Sequence, residues 1–383
     1  MLPFSYATRN LFRSKTRLLQ TIGGSALVVL LVMSSVAINN GMKRVLSASG
    51  SNQNVILIGA GSEESVQRSE VSESTTEIAS AGVQGISEAL GVRAVSGEIY
   101  YMNYISLPDG RRMQATMRGV TPEALRVHLE VRLLEGAFPQ AGEVMLGRLA
   151  WRKLGLEESD LKVGEVLKID DQELVISGLF AAPGTVLESE IWTTLGDLRV
   201  LAQRDTLSCV VLRLDDVADY AEADLFAKQR LDLELTALRE SDYYARLSSF
   251  FKPLRAMTWI TAGLIAVGAV FGGVNTLYAA FASRVREMAT LQAIGFGRGA
   301  LLLSLIQEST LACLTGALVA SVIAVLVLDG LTVPFSIGAF TLDIGPEVAI
   351  TGIATGTFLG LLGALPPAIR CLKPSLPVAL RMS

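Results

Sequence analysis

Hydrophobic and polar positions are segregated along this chain into four long apolar runs and one long mixed segment. No charged residue occurs in 18–42, 256–283, 309–328 or 348–369. Each run reaches the roughly 20 residues that a helix needs to cross about 30 Å of hydrocarbon, so the pattern predicts four transmembrane helices. Their expected extents are 18–40, 256–283, 300–328 and 347–369. Ahead of the first, Phe4, Ala7 and Leu11 recur at helical spacing with Arg9, Arg13 and Lys15 between them, which suits an interfacial helix over 1–17.

Strand-like and helix-like stretches mix within 41–253, which predicts a large α+β domain inserted between helices 1 and 2. Residues 41–49 read as a continuation of the first helix. Strands are expected at 55–58, 98–107, 111–120, 143–146, 166–169 and 173–177, the second and third flanking the hairpin turn Pro108-Asp109-Gly110. Helices are expected at 77–90, at 121–127 with Thr121 as N-cap and Pro122 in the first turn, and at 218–238 as an acidic amphipathic helix. Residues 59–76, rich in Ser and Glu, read as a mobile loop, and 243–252 as the return to the membrane. Two subdomains are expected to meet near residue 140.

Charge then orients the chain. Residues 41–253 hold 22 Lys and Arg against 32 Asp and Glu, a balance of −10. The short pieces between and beside the apolar runs are basic: Arg9, Arg13, Lys15 and Arg17; Arg284, Arg286 and Arg298 against Glu287; Arg370, Lys373 and Arg381. By the positive-inside rule both termini and the 284–299 loop face the cytoplasm, and the large domain and the 329–343 loop lie outside. Ser35-Val36-Ala37 would suit a signal-peptide cleavage site, but the apolar core exceeds the roughly 7–15 residues of a signal, so an uncleaved anchor is expected. Cys209, Cys313 and Cys371 are scattered, and no intrachain disulfide is expected.

Candidate chemistry is sparse. His128 is the only histidine, and a lone histidine makes neither a zinc site nor a catalytic triad, so no metal site is expected. Asp170-Asp171 and Asp215-Asp216 sit beside turn-like stretches and read as solvated. No catalytic residues are expected. Gly268 and Gly272 form G-x-x-x-G, and Gly352, Gly356 and Gly360 extend that spacing over two turns, which suits close helix packing. Glu308 lies within the third apolar helix and needs a partner, with Arg298 or a basic group of a neighbouring span as the candidates. The segment 284–299 opens with Arg284, Arg286, Glu287, Met288, Leu291, Ile294 and Gly295. Met288, Leu291 and Ile294 can share a face that fills an apolar groove while the charges fix register. No G-x-x-x-x-G-K-[ST] phosphate loop occurs.

Three stretches carry a family resemblance. They are Asn10-Leu11-Phe12-Arg13-Ser14-Lys15 with 41–44 and 50–57; 142–150 with 162–169 and 175–178; and 284–295 with Glu308, 366–370 and 374–380. In this order they resemble the MacB, LolC/LolE and FtsX permeases, the mechanotransmission type of ABC transporter subunit. The resemblance implies a MacB-like core domain over 41–253 and an FtsX-like permease module over 254–383. It also implies an inner-membrane subunit that is itself no enzyme. Its partners would be a cytosolic ATPase dimer holding ATP and Mg, a second permease copy or paralogue, membrane lipid, and in some branches a periplasmic adaptor, with no nucleic acid. In that family the segment between helices 2 and 3 is a coupling helix docked on the ATPase, which here maps onto 284–295. Export or release of a hydrophobic, lipid-like or peptide substrate is expected. The alternatives are an FtsX-like regulator of an extracytoplasmic hydrolase and a sensor or scaffold with no ATPase.

Overall fold

The structure, a computed structural model, describes residues 11, 13, 15–106, 110–157, 161–169 and 172–381. The expected helix over 1–17, the Pro108-Asp109 turn and Asp170-Asp171 lie wholly or largely outside the described residues. Two compact units divide the chain: a helical unit of Met1–Asn40, Pro253–Leu331 and Leu342–Ser383, and a sheet unit of Gly41–Lys252 with Thr332–Thr341.

Among the described residues, four helices are long and apolar enough to cross a membrane: Leu18–Ala48, Glu240–Ala282, Arg298–Val327 and Pro346–Cys371. Pro346 occupies the first turn of the last, where its missing N–H costs no helical bond. Small residues set how closely these helices approach. A Cβ on Gly360 would lie 2.6 Å from Thr310 Cα, and one on Gly356 would lie 2.6 Å from Ala317 Cβ, so Arg298–Val327 packs backbone against backbone there. Gly352 faces Met33 instead, while Gly268 and Gly272 have no neighbour within 4 Å of a built Cβ.

The sheet unit holds β1 (Asn54–Gly59), the small hairpin β2 (Glu88–Ala89) and β3 (Val92–Arg93), β4 (Val95–Ser106), β5 (Arg112–Val120), β6 (Arg132–Gly136), β7 (Glu143–Gly147), β8 (Val166–Ile169), β9 (Gln172–Ala181), β10 (Ile191–Thr194), β11 (Cys209–Arg213) and β12 (Leu235–Arg239). Ten of these form one sheet in the order β12-β1-β11-β4-β5-β10-β7-β9-β6, with β8 also on β9. The pairs β5–β10 and β7–β9 are parallel and the rest antiparallel. β1 is buried along its whole length, because Val55 and Leu57 pack into one apolar cluster and Ile56 and Ile58 into another on the opposite face. β4 joins the two halves of the sheet: residues 95–98 pair with β11 and 99–106 with β5.

Several expectations change here. The 59–76 stretch is anchored rather than mobile: Val66 and Val71 are buried, Ser69 Oγ accepts from Gly59 N, and Arg204 donates to the carbonyls of Gln67 and Ser69. Helix 77–90 is Ser74–Gly82 only, and the chain then enters β2. Helix 121–127 shrinks to Ala124–Val127, without a side-chain cap. Helix 218–238 stops at Gln229, and its final residues become β12. A cut near 140 divides nothing, because β11 and β12 return to pair with β1. The loop 329–343 contributes a hairpin, β13 (Thr332–Phe335) and β14 (Gly338–Thr341), to the sheet unit. Cys209, Cys313 and Cys371 are buried free thiols.

Candidate functional site

In the helical unit, a short helix Val285–Ala293 lies between the two long helices ending at Ala282 and starting at Arg298. Its C-terminus closes through Gly295, whose φ of +107° only glycine adopts freely. Gly295 N donates to Gln292 O and Phe296 N to Leu291 O, the paired bonds that stop a helix at a left-handed residue. Arg284 stands at the other end. Its Nη1 reaches both oxygens of Glu308, at 3.1 and 2.8 Å, and its Nε reaches Glu287 Oε2 at 3.3 Å. Glu287 also accepts from Arg13 Nη1 at 2.7 Å. Arg284 and Glu308 are buried, so this bond is shielded from solvent.

Of the two expected partners of Glu308, Arg298 is not the one bonded; Arg284, the basic residue just beyond the neighbouring span that ends at Ala282, is. The expected apolar face is also corrected. Met288 is buried with Val285, Ala289, Phe281, Leu301 and Leu305 in the unit's own core, and Leu291 is packed against them. Ile294, by contrast, is 71% exposed. The open face carries Arg286, Thr290, Ala293 and Ile294, spaced i, i+4, i+7 and i+8. Gly295 lies at its end.

The sheet unit contains a charge cluster that no sequence motif announces. Arg118 on β5 is fully buried; Nε and Nη2 grip Glu190 at 2.7 and 2.8 Å, and Nη1 reaches Glu98 on β4 at 2.7 Å. Tyr100 lies under the guanidinium, 4.1 Å from Cζ to the ring centroid, and Trp192 Nε1 donates to Glu190 at 2.9 Å. His128 Nε2 lies 2.8 Å from Glu98 Oε1. Burial alone would raise the Glu98 carboxyl, but the charges of His128 and Arg118 outweigh it and hold Glu98 at about 2. Burial would lower His128; Glu98 and Glu130 override it and lift the imidazole to about 10. The one available signal was charge inside a strand-like run, as at Glu98, which alternation puts on the same face of β4 as Ser96 and Tyr100.

Lys153, in the helix Ala150–Leu154, is 4% exposed; its Nζ donates to Thr116 Oγ1 at 2.5 Å and to Ser336 O at 3.2 Å. Burial pushes it down to about 8 against the pull of Glu190. A lysine lowered from 10.5 destabilises the fold below pH 8, and that deficit fades as pH rises from 8 to 10.5. Lys153→Met is therefore expected to gain about 1–2 kcal/mol at pH 7, the roughly 3 kcal/mol charge penalty less the two lost hydrogen bonds. Melting curves at pH 7 and pH 10, read by tryptophan fluorescence, should show the advantage shrinking at the higher pH. A variant that is less stable at pH 7 refutes this.

A profile described as MacB-like periplasmic core domain matches residues 18–224, and one described as FtsX-like permease C-terminal matches 259–376. These define a membrane permease component. The chain belongs to the MacB/FtsX-like family of ABC transporter permeases, inner-membrane proteins with a periplasmic domain that work with an ATPase partner. No curated protein matches the chain. Among solved structures, the periplasmic region of MacB from Actinobacillus actinomycetemcomitans is similar at 10% identity and a TM-score of 0.39, covering 54% of this chain and 96% of that one. The extracellular domain of the noncanonic ABC-type transporter YknZ from Gram-positive bacteria is similar at 12% identity and 0.37, covering 48% and 99%. A domain of a permease protein from Porphyromonas gingivalis is similar at 15% identity and 0.32, covering 49% and 87%.

Proposed function

We propose that this chain is the permease subunit that couples ATP hydrolysis, carried out with Mg on a separate cytosolic ATPase, to movement of its extracytoplasmic sheet unit. In this reading an even number of spans keeps both termini on one side, the basic short segments assign that side to the cytoplasm, and the substrate, hydrophobic, lipid-like or peptide, is exported or released on the outer side. The observation that carries this reading is the helix Val285–Ala293, whose inner face is fused to the helical unit while its outer face is open. A push on Ile294 meets a helix that cannot slide independently, since Arg284 ties it to Glu308. The helix Glu240–Ala282 supports a paired subunit: only 6% of its apolar window is buried within the chain. The second copy, or a paralogue, is placed there, with lipid around the rest.

Ile294→Asp tests the docking face. Charge at an exposed hot spot is expected to weaken capture of the ATPase about 5–30-fold, roughly 1–2 kcal/mol, with the melting of the chain unchanged. Leu291→Asp should instead destabilise the helical unit, because that side chain is packed against its core. Undiminished ATPase capture and coupling by Ile294→Asp would sink the assignment.

A further inference from the structure

The two ring nitrogens of His128 are used differently. Nε2 is bound by Glu98, whose second oxygen is held by Arg118 at 2.7 Å. Nδ1 has no hydrogen-bond partner among the described residues. It faces Glu130 Oε1 at 3.7 Å and Glu240 Oε1 at 3.9 Å, and one ligand atom from each of the three residues lies within 4.8 Å of the others. Those gaps exceed the roughly 3.2 Å limit of good hydrogen bonds. They are a few tenths wider than the about 3.4–3.6 Å that separates ligands on a tetrahedral ion with bonds of about 2.1 Å.

We infer that His128 Nδ1, Glu130 and Glu240 form a binding site for a divalent cation of the zinc class. A carboxylate on the far nitrogen of an imidazole is the support that fixes a metal-binding histidine, and Glu98 supplies it. Glu240 is equally prepared. Its Oε2 accepts from Ser51 N at 3.1 Å and Asn54 Nδ2 at 2.9 Å, which leaves Oε1 turned toward His128. The Glu130 side chain is 25% exposed and opens a path from solvent.

Charge points the same way. Among the described residues the only cations in direct contact with Glu98, Glu130, Glu190 and Glu240 are Arg118 and His128, so four carboxyl groups share two cations in a buried place. Binding replaces a proton with a divalent ion: the imidazolium gives up its proton to solvent, Nδ1 takes the ion, and the site gains one positive charge net. One imidazole nitrogen and two carboxylate oxygens favour zinc over calcium or magnesium, which prefer all-oxygen shells. The bound ion would join the 128–130 turn to the first residue of the helix Glu240–Phe250.

The test uses the full chain in mild detergent, stripped with a chelator, re-equilibrated with Zn²⁺ and freed of loose metal by gel filtration. Elemental analysis should find about one zinc per chain in the wild type, and Glu130→Gln should retain at least about tenfold less after the same wash. Glu130 is partly open, so that variant is expected to fold, and an unchanged elution volume checks it. Co²⁺ substitution of the wild type needs no variant: it should give ligand-field bands without a thiolate charge-transfer band. Wild type that retains no zinc, retention equal in Glu130→Gln, or a thiolate band that assigns the metal to cysteine would each overturn the site.

Discussion

Arg118→Met is expected to lower the unfolding midpoint of the sheet unit by about 6–20 °C, among the largest effects of any single substitution here. The ion pairs with Glu98 and Glu190 are fully buried. Deleting the guanidinium leaves two carboxylates without their main partner in a low dielectric, which costs about 3–5 kcal/mol. For a unit of this size each kcal/mol moves the midpoint by about 2–4 °C. Methionine keeps the volume and the contact with Tyr100, so the loss isolates the charge. Glu98→Gln should cost less, because its carbonyl can still accept from Arg118 and His128. The measurement is tryptophan fluorescence on heating, in chelator so that no bound cation contributes. Trp192, hydrogen-bonded to Glu190, reports on the cluster itself. A midpoint within about 2 °C of wild type, a loss under about 1 kcal/mol, would show that the cluster adds little.

Much of this molecule was legible along the chain because bilayer-length apolar runs and hairpins are local signals. Val55 to Ile58 and the pairing of 99–106 with 112–119 follow from pattern and turn residues alone. What escaped was decided at long range. Leu235, Ala237 and Leu238 satisfy a helical spacing and a strand equally well, and the open edge of β1 settles the matter by pairing with them. Residues 59–76 have a loop's composition, yet two valines and the reach of Arg204 from 135 positions away hold them. Arg118 finds Glu190 across 72 positions, a separation that no spacing rule covers. His128 was visible as a lone histidine; that Glu98, Glu130 and Glu240 converge on it was not. In the short helix the periodicity identified apolar positions correctly but could not say whether Met288 turned toward its own chain or toward a partner. Phe281, Leu301 and Leu305 answer that, and they lie in the long helices on either side of the short one.

Breaking the Arg284–Glu308 bond should therefore separate binding of the ATPase from response to it. Glu308→Leu leaves a guanidinium buried beside apolar helices, at a cost of about 3–5 kcal/mol. The open face with Arg286, Thr290, Ala293 and Ile294 is untouched, so the ATPase should still co-purify. What is lost is the polar tie between the helix Val285–Ala293 and Arg298–Val327, which itself packs backbone to backbone on Pro346–Cys371, while the apolar contacts of Met288 remain. Coupling between nucleotide and the sheet unit should fall by about 5–150-fold, the span of a whole coupling between two sites, if the force passes through this bond. Glu308→Gln, which keeps an acceptor for Arg284, should fall in between, and Arg284→Glu with Glu308→Arg should recover part of the loss. The readouts are ATPase capture, protein-stimulated hydrolysis, and nucleotide-dependent quenching at Trp192, each in the reconstituted complex. If Glu308→Leu hydrolyses and responds as the wild type does, the bond only anchors a polar helix end, and force must reach the long helices through Met288 and its apolar neighbours. If capture is lost together with coupling, Arg284 instead shapes the docking face, and Ile294→Asp and Glu308→Leu should then be indistinguishable in every readout but stability.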